Sequence, residues 1–315
     1  MNIIRRPQSL DELVGQETIK RKLRIAMGAA LQRSEPLGHV LLTSSGGGLG
    51  KSTIAHIISN EMLCSLHVTT GQCICSTTDL KNILIRLEPN DMLLIDEAHC
   101  LGRTAAEELL VVTEQNVLNV TVGGQGPMRL DLPPFTLILA STKPEAFSGP
   151  LVQRFPLHIH LVHYTPSELQ LIVQGATARM RIEFEKQVCA GIASRAKGIP
   201  RIALRLAERV RDVSQAKRLT KAGMGELQLA MVIEGIDPLG LNRQDRHCLR
   251  VLALAEPRPI GVRNLALALG MSTATIQDIL EPVLVRLGMI SIGVGGRRLT
   301  HEGKRHLETV GDKYD

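Results

Sequence analysis

Residues 41–53 read LLTSSGGGLGKST. The phosphate-binding loop has the form G-x-x-x-x-G-K-[S/T]. Gly50, Lys51 and Ser52 fit that form, but Ser45 stands at the first glycine position and Gly46, Gly47 and Gly48 follow it. The flanks agree with such a loop. HVLLT (39–43) is a short aliphatic strand, and TIAHIISNEM (53–62) has helical spacing with Ile54, Ile57 and Ile58 on one side. A strand that empties into a glycine loop and then a helix aims backbone N–H groups and the helix dipole at an anion. In that arrangement Lys51 reaches the β- and γ-phosphates of ATP and Ser52 ligates Mg²⁺. Gly48, Gly50, Lys51 and Ser52, the anion-facing parts, are present, so ATP binding is expected, weaker or slower than with an ordinary loop.

Two further aliphatic runs lie downstream. DMLLIDEAH (91–99) ends in Asp96 and Glu97, and FTLILAST (135–142) ends in Ser141 and Thr142. Strands that are apolar throughout and alternate with helices predict a parallel sheet covered on both faces. Ligands of such sheets sit at the carboxyl ends of the strands, which is where the loop, the acids and the hydroxyls fall. Asp96 follows the G-K-S serine by 44 residues. It suits a Mg²⁺-organising carboxylate, and Glu97 suits the base that orients an attacking water. Charge developing on the γ-phosphate also needs cations, for which Arg154 and Arg201 are candidates.

Beyond residue 165 the pattern is helical, with no strand signal up to about residue 235, and PRIALRLAERVRDVSQA carries a basic face of Arg201, Arg205, Arg209 and Arg211. From about residue 240, RQDRHCLRVLAL, GVRNLALALG and STATIQDILEPVLVRLGMI read as three helices, the third capped by Ser272. SIGVGGRRLT then reads as a hairpin turning at Gly295 and Gly296. Three helices and a hairpin predict a winged helix-turn-helix, a module used on DNA.

The chain of 315 residues fits roughly two or three domains. Hydrophobic residues make up 44% and aromatics 2%, so the cores are aliphatic; the net charge of +6 permits polyanionic partners without demanding them. The six cysteines lack a paired C-x-x-C spacing and read as reduced thiols. With no signal-peptide pattern and no apolar run of about 18 residues, a soluble cytoplasmic protein with no membrane partner is expected. Asp96 to His99 also spell D-E-A-H, a helicase box, but those helicases carry a second recombinase-like domain. His158 and His160 share a strand face and read as a packed or solvated pair rather than a metal site.

The segments RPQSLDELVGQ, GHVLLTSSGGGLGKSTIAHIISNEM, DMLLIDEAH, LDLPPFTLI, GPLVQRF, YTPSEL and GIPRIALRLAERVRD resemble the AAA+ ATPases and, more narrowly, the RuvB family of Holliday-junction branch-migration motors. A clamp-loader or initiator-type AAA+ protein, or a relative that uses nucleotide as a structural switch, is the alternative; LDLPPFTLI and the winged tail favour RuvB. The resemblance implies an α/β fold: an AAA+ P-loop ATPase domain with a parallel sheet (1–163), a helical lid domain (164–237) and a winged-helix domain (238–315). It implies nucleotide contacts from Arg5, Arg6, Gly48, Lys51, Ser52, Thr53, Tyr164 and Arg201. The cofactor-binding set also takes in Gly50, Glu114, Gln115 and Asn116. Asp96 and Glu97 match the metal-organising and water-activating acids, and Thr142 the sensor. Arg154 matches a finger reaching into a neighbouring subunit's ATP, which implies a homo-oligomeric ring, a hexamer in this family. Arg297 matches a DNA-contacting wing arginine, with Arg298 beside it. Ser45, Gly46 and Gly47 depart from the family's Gly-Pro-Pro, Leu13 from an aromatic residue, Cys100 from an arginine, and Ile292 from another wing arginine. The segment LNVTVGGQGPMRLDLPP is shorter than the hairpin on which the family docks its partner RuvA, which speaks against an unchanged RuvA-like partnership.

Overall fold

A computed structural model describes residues 6–121, 127–311 and 314 of the chain. Two compact units divide between Tyr164 and Thr165. The first runs through α1 (Glu17–Arg33), β1 (Val40–Ser44), α2 (Lys51–Glu61), β2 (Leu66–Thr70), α3 (Thr77–Leu84), β3 (Met92–Asp96), α4 (Arg103–Gln115), the hairpin β4 (Val117–Thr121) and β5 (Pro127–Asp131), β6 (Thr136–Ser141), α5 (Gly149–Gln153) and β7 (Leu157–Leu161).

Five strands form one sheet in the order β2-β3-β6-β1-β7, each pair parallel. Every residue of β1 and β6 is buried, as expected for central strands covered on both faces. Alternate side chains divide the core. Leu41, Leu93, Ile95, Leu137 and Leu139 pack with Leu80, Leu84, Leu109 and Val112 of α3 and α4. Their neighbours Val40, Leu42, Leu94 and Ile138 point the other way, where α2 crosses β1, β3 and β6. Each fully buried leucine or isoleucine contributes about 1.5–3 kcal/mol, so the sheet is held mainly by aliphatic packing, with Phe135 and Phe155 buried in the same cluster. The edge strand β7 instead alternates, with His158 and His160 exposed and Ile159 and Leu161 buried. His158 Nε2 lies 3.1 Å from the Val152 carbonyl and His160 Nδ1 3.0 Å from Thr43 Oγ1.

The second unit begins with α6 (Pro166–Thr177), β8 (Glu183–Phe184), α7 (Lys186–Arg195), α8 (Pro200–Ala216), β9 (Lys221–Ala222) and α9 (Met224–Ile233). Thr165 caps α6 with a reciprocal box to Glu168. The expectation of a strandless segment is corrected: β8 and β9 pair in parallel. Two-residue strands are too short to write a period into sequence. The basic face is also corrected. Arg201, Arg205 and Arg209 are exposed at four-residue intervals, while Arg211 turns away and pairs with Asp212 at 2.7 Å.

The remainder of this unit comprises α10 (Arg243–Leu254), α11 (Val262–Leu269), α12 (Thr273–Thr275), α13 (Glu281–Arg286), the wing strands β10 (Ile290–Gly293) and β11 (Gly296–Leu299), and α14 (His301–Val310). Ser272 caps α12, as expected. The third helix of the sequence reading is interrupted by a π segment, Ile276–Leu280. Pro282 follows it and offers no N–H to a carbonyl one turn back, which a wider turn accommodates. The wing turns at Val294 and Gly295, with Gly293 opposite Gly296. Gly296 has φ 125°, and a Cβ there would stand 2.4 Å from the Ile260 oxygen. Only glycine allows β11 to lie this close to the Ile260 backbone. Helix α14 was not anticipated: HEGKRHLETV is too polar to show an apolar stripe.

The helical and winged parts of this unit are joined by buried polar contacts. Lys197 Nζ meets Asp245 Oδ2 at 2.6 Å, both nearly buried. Asp237 and Arg246 are fully buried; Asp237 accepts the Leu239 and Leu241 N–H groups and faces His306 Nε2 at 2.8 Å. Gly240 (φ 82°) sits where a Cβ would be 2.1 Å from the Arg195 carbonyl oxygen.

At the entrance to β1, His39 lies between the rings of Phe135 and Phe155. Its Nδ1 accepts the Leu137 N–H at 3.0 Å. Burial lowers its pKa from 6.5 to about 4, partly offset by a hydrogen bond to the Thr113 backbone. The folded value lies below the unfolded one, so between them the unfolded chain binds more protons. Stability is therefore full above pH 6.5 and falls as pH drops toward 4, by up to about 3 kcal/mol. Between pH 7 and pH 4.5 the melting temperature of the first unit should fall further in the wild type than in His39→Gln. Equal falls would refute this.

Candidate nucleotide site and winged-helix face

Parallel pairing brings the carboxyl ends of β1, β3 and β6 to one edge, and three pieces of chemistry meet there. Strand β1 opens into the glycine loop, which enters α2 at Lys51. The left-handed positions of this loop are Gly48 (φ 81°) and Gly50 (φ 110°), whereas Ser45 is not among the positive-φ residues. The missing first glycine is thus absent from a position that needs no glycine. Ser44 Oγ donates to the Gly46 carbonyl at 2.7 Å and braces the turn. A Cβ at Gly50 would lie 3.7 Å from Leu161 and 3.8 Å from the Tyr164 hydroxyl, so Tyr164, itself buried, stands beside the loop.

Lys51 is buried and its ammonium donates to Ser44 Oγ at 3.0 Å. Ser52 Oγ donates to Asp96 Oδ2 at 2.7 Å, joining the loop helix to the tip of β3. Asp96 Oδ1 accepts the Glu97 N–H at 2.9 Å. Glu97 leaves the strand in the left-handed region, φ 48° and ψ 42°. Its carboxylate faces His99 Nδ1 at 3.4 Å, and His99 Nδ1 lies 3.1 Å from Ser141 Oγ at the tip of β6. Thr142, the expected sensor, follows directly and is half-buried, as is Thr53 on α2. Arg6 is exposed, and its charge, second to burial, lowers the pKa of His56 on α2. Arg5 lies outside the described residues. Arg201 is exposed in the first turn of α8.

This edge fits a nucleotide phosphate with a divalent cation. The cradle is open at Gly46 and Gly47, where a Cβ would meet nothing within 4 Å. A buried ammonium and a helix N-terminus supply positive charge. Ser52 Oγ and Asp96 Oδ2 are adjacent hard oxygens of the kind Mg²⁺ takes.

The rest of the expected cofactor set lies elsewhere. Leu157 of β7 pairs with Val40, the first residue of β1, and the strands are parallel. Arg154 precedes Leu157 and so belongs to the amino-terminal edge of the sheet, whereas the loop leaves the carboxyl edge. The five residues of β1 span about 16 Å. Arg154 Nη2 pairs with Glu114 Oε1 at 2.7 Å, both partly exposed. Glu114 and Gln115 end α4 and Asn116 caps it at φ 51°. Within one chain the expected cofactor set therefore falls into two groups, because α4 runs back across the sheet. Glu114, Gln115, Asn116 and Arg154 do not share an edge with the loop of their own chain.

On the wing, the two neighbouring arginines differ. Arg298 is exposed and forms no ion pair among the described residues. Arg297, expected on DNA, is instead held by Glu281 of α13 through two hydrogen bonds, Nε to Oε1 at 2.7 Å and Nη2 to Oε2 at 3.0 Å. Their side chains are only 12% and 8% exposed. Backbone bonds between Arg297 and Ile260 hold the same residue from the other side. The reason is geometric: Ile292 and Arg297 are cross-strand partners, and α13, which carries Glu281, packs against the neighbouring strand β10.

The fold and the edge site define a nucleotide-binding P-loop protein of the AAA+ class, extended by a winged helix. Comparison with known proteins narrows this. Residues 5–161 match the family described as "Holliday junction DNA helicase RuvB P-loop domain", 164–237 the "RuvB AAA lid domain" and 238–308 the "RuvB C-terminal winged helix domain". The chain is 41% identical over 307 residues to "Holliday junction branch migration complex subunit RuvB" of Kosmotoga olearia, covering 96% of this chain and 89% of that protein. The Thermotoga maritima protein of the same description is 37% identical over 308 residues, covering 96% and 92%. A solved structure, "Thermotoga maritima RuvB Holliday junction branch migration motor", superposes with a TM-score of 0.86 at 37% identity, covering 96% of this chain and 98% of that one. The chain belongs to the RuvB family.

Breaking a buried ion pair by removing one partner costs about 3–5 kcal/mol. Arg297→Ala and Glu281→Ala should each destabilise the winged-helix part by about that much, and the double variant by less than the sum. Arg298→Ala should leave stability unchanged. Additive losses in a double-mutant cycle read by denaturant unfolding would exclude the bidentate pair.

Proposed function

We propose that this protein is an ATP-driven DNA motor that migrates Holliday junctions in recombination and repair, hydrolysing ATP between the subunits of a homo-oligomeric ring, a hexamer by family precedent. In this reading residues 1–163, 164–237 and 238–315 are the ATPase, lid and winged-helix domains. Gly48, Gly50, Lys51, Ser52 and Thr53 bind the phosphates, while Arg5, Arg6, Tyr164 and Arg201 contact the rest of the nucleotide. Ser52 and Asp96 hold Mg²⁺, which when bound neutralises charge on the β- and γ-phosphates. Glu97 accepts a hydrogen bond from the attacking water and orients it, and Thr142 senses the γ-phosphate.

The observation that carries this reading is the separation of Arg154 from Lys51 along the parallel β1 and β7 pair. An arginine on the far edge serves a γ-phosphate only in a neighbouring subunit, and Glu114, with Gln115 and Asn116, then lines the same intersubunit surface. Arg298 contacts the DNA backbone from the wing. A RuvA-type accessory subunit belongs to the proposal too, supported by Met128 and Leu130 of β5, apolar and exposed on the short hairpin. The tip of that hairpin, residues 122–126, lies outside the described residues. No helix among the described residues is long and apolar enough to cross a membrane.

Subunit mixing tests this reading. Lys51→Ala and Arg154→Ala proteins should each lose ATP hydrolysis, the latter by roughly 10³-fold or more in kcat. Mixed together, they should recover hydrolysis and junction migration, because some interfaces then combine an intact loop with an intact finger. Absence of recovery in assembled mixtures would place Arg154 outside the reaction.

A further inference from the structure

Glu97 adopts a left-handed backbone conformation, which for a residue other than glycine costs about 1–3 kcal/mol and persists only where the surroundings impose it. The surroundings here are plain. The chain turns at once into a 3₁₀ segment, Ala98–Cys100, and the backbone of Gly71 packs against it. A Cβ at Gly71 would lie 2.6 Å from the Glu97 carbonyl oxygen and 3.1 Å from the Leu101 nitrogen. The turn is therefore seated, and the His99 ring it carries is 18% exposed.

One atom of that ring faces two groups. Nδ1 is 3.1 Å from Ser141 Oγ and 3.4 Å from Glu97 Oε2. Ser141 is fully buried, and its hydroxyl already accepts the Lys143 N–H at 2.9 Å, which leaves its own proton for Nδ1. A single ring nitrogen serves both neighbours in one of two ways. When Nδ1 carries a lone pair, it accepts from Ser141 and repels the carboxylate, which then swings free. When Nδ1 carries the hydrogen, it donates, and the carboxylate is drawn back against the ring. The 3.4 Å separation is longer than a formed hydrogen bond, so Glu97 is near the ring without being fastened to it. Thr142 follows Ser141 directly, so the same strand tip carries the proposed sensor.

We propose that His99 is a positioning residue for hydrolysis: its Nδ1 couples the Glu97 carboxylate to the tip of β6, so that the position from which Glu97 orients water is set by Ser141 and its neighbour Thr142. This rests on the hydrolytic role proposed above for Glu97.

The test uses the full-length protein, steady-state ATP hydrolysis and direct titration with a fluorescent ATP analogue. His99→Ala should lower kcat by roughly 10- to 100-fold, as removal of an outer-shell partner does, while nucleotide affinity changes by about twofold or less. His99→Asn places an amide near the site of Nδ1 and should recover most of the rate; His99→Gln, which reaches toward the Nε2 position, should not. Adding His99→Ala to Glu97→Gln should lower the rate no further, since residues acting through one group are not additive. Wild-type kcat in His99→Ala, equal rates in the Asn and Gln variants, or a loss confined to affinity would each overturn the proposal. Loss of rate that follows loss of melting temperature across all three variants would assign His99 to stability alone and overturn it as well. Full hydrolysis in Glu97→Gln would reject the role of Glu97 first, and is distinguishable because it requires no change at His99.

Discussion

Parallel pairing of β1 with both β6 and β7, and of β3 with β6, is the constraint on which the rest depends. Parallel strands expose all their carboxyl ends at one edge. The glycine loop, Asp96 with Glu97, and Ser141 with Thr142 come from segments far apart in the chain, yet they meet because the register leaves them no other place. The 2.7 Å hydrogen bond from Ser52 to Asp96 follows from this pairing. The same pairing excludes Arg154, Glu114 and their neighbours from that edge.

The loop shows how a local rule is satisfied by other means. Its left-handed backbone positions are Gly48 and Gly50, and both remain glycine. Ser45 stands where no positive φ is required, and the neighbouring Ser44 hydroxyl braces the turn. Two glycines in place of prolines make the unfolded loop more permissive, a cost of about 0.4–1 kcal/mol each. That is a cost in preorganisation, while the groups that face an anion keep their geometry.

Much of the nucleotide site was legible from sequence because its signals are local. A strand, a glycine turn and a helix lie within about two dozen residues, and an apolar run ending in two acids lies within one strand. The contacts of Arg297 and His99 were not legible in this way. Arg297 looks like a surface cation until α13 brings Glu281 against it across 16 residues. His99 looks like part of a four-letter motif until β6 brings Ser141 within 3.1 Å. Helix α14 escaped notice for the opposite reason: Leu307 and Val310 are its apolar contacts, and much of its anchoring is polar, to Asp237 and Glu256, which leaves little apolar period.

The sequence by itself determined the aliphatic strands of the sheet and the loop, acids and hydroxyls at their ends, since each depends on residue spacing within a single element. Only the tertiary structure decided which charged side chains are available. It set Arg298 in solvent and Arg297 in a buried pair, and it put Arg154 on the edge away from Lys51. Such outcomes depend on which distant segment packs beside a residue, and long-range packing is written in the whole set of contacts rather than in any one stretch of chain.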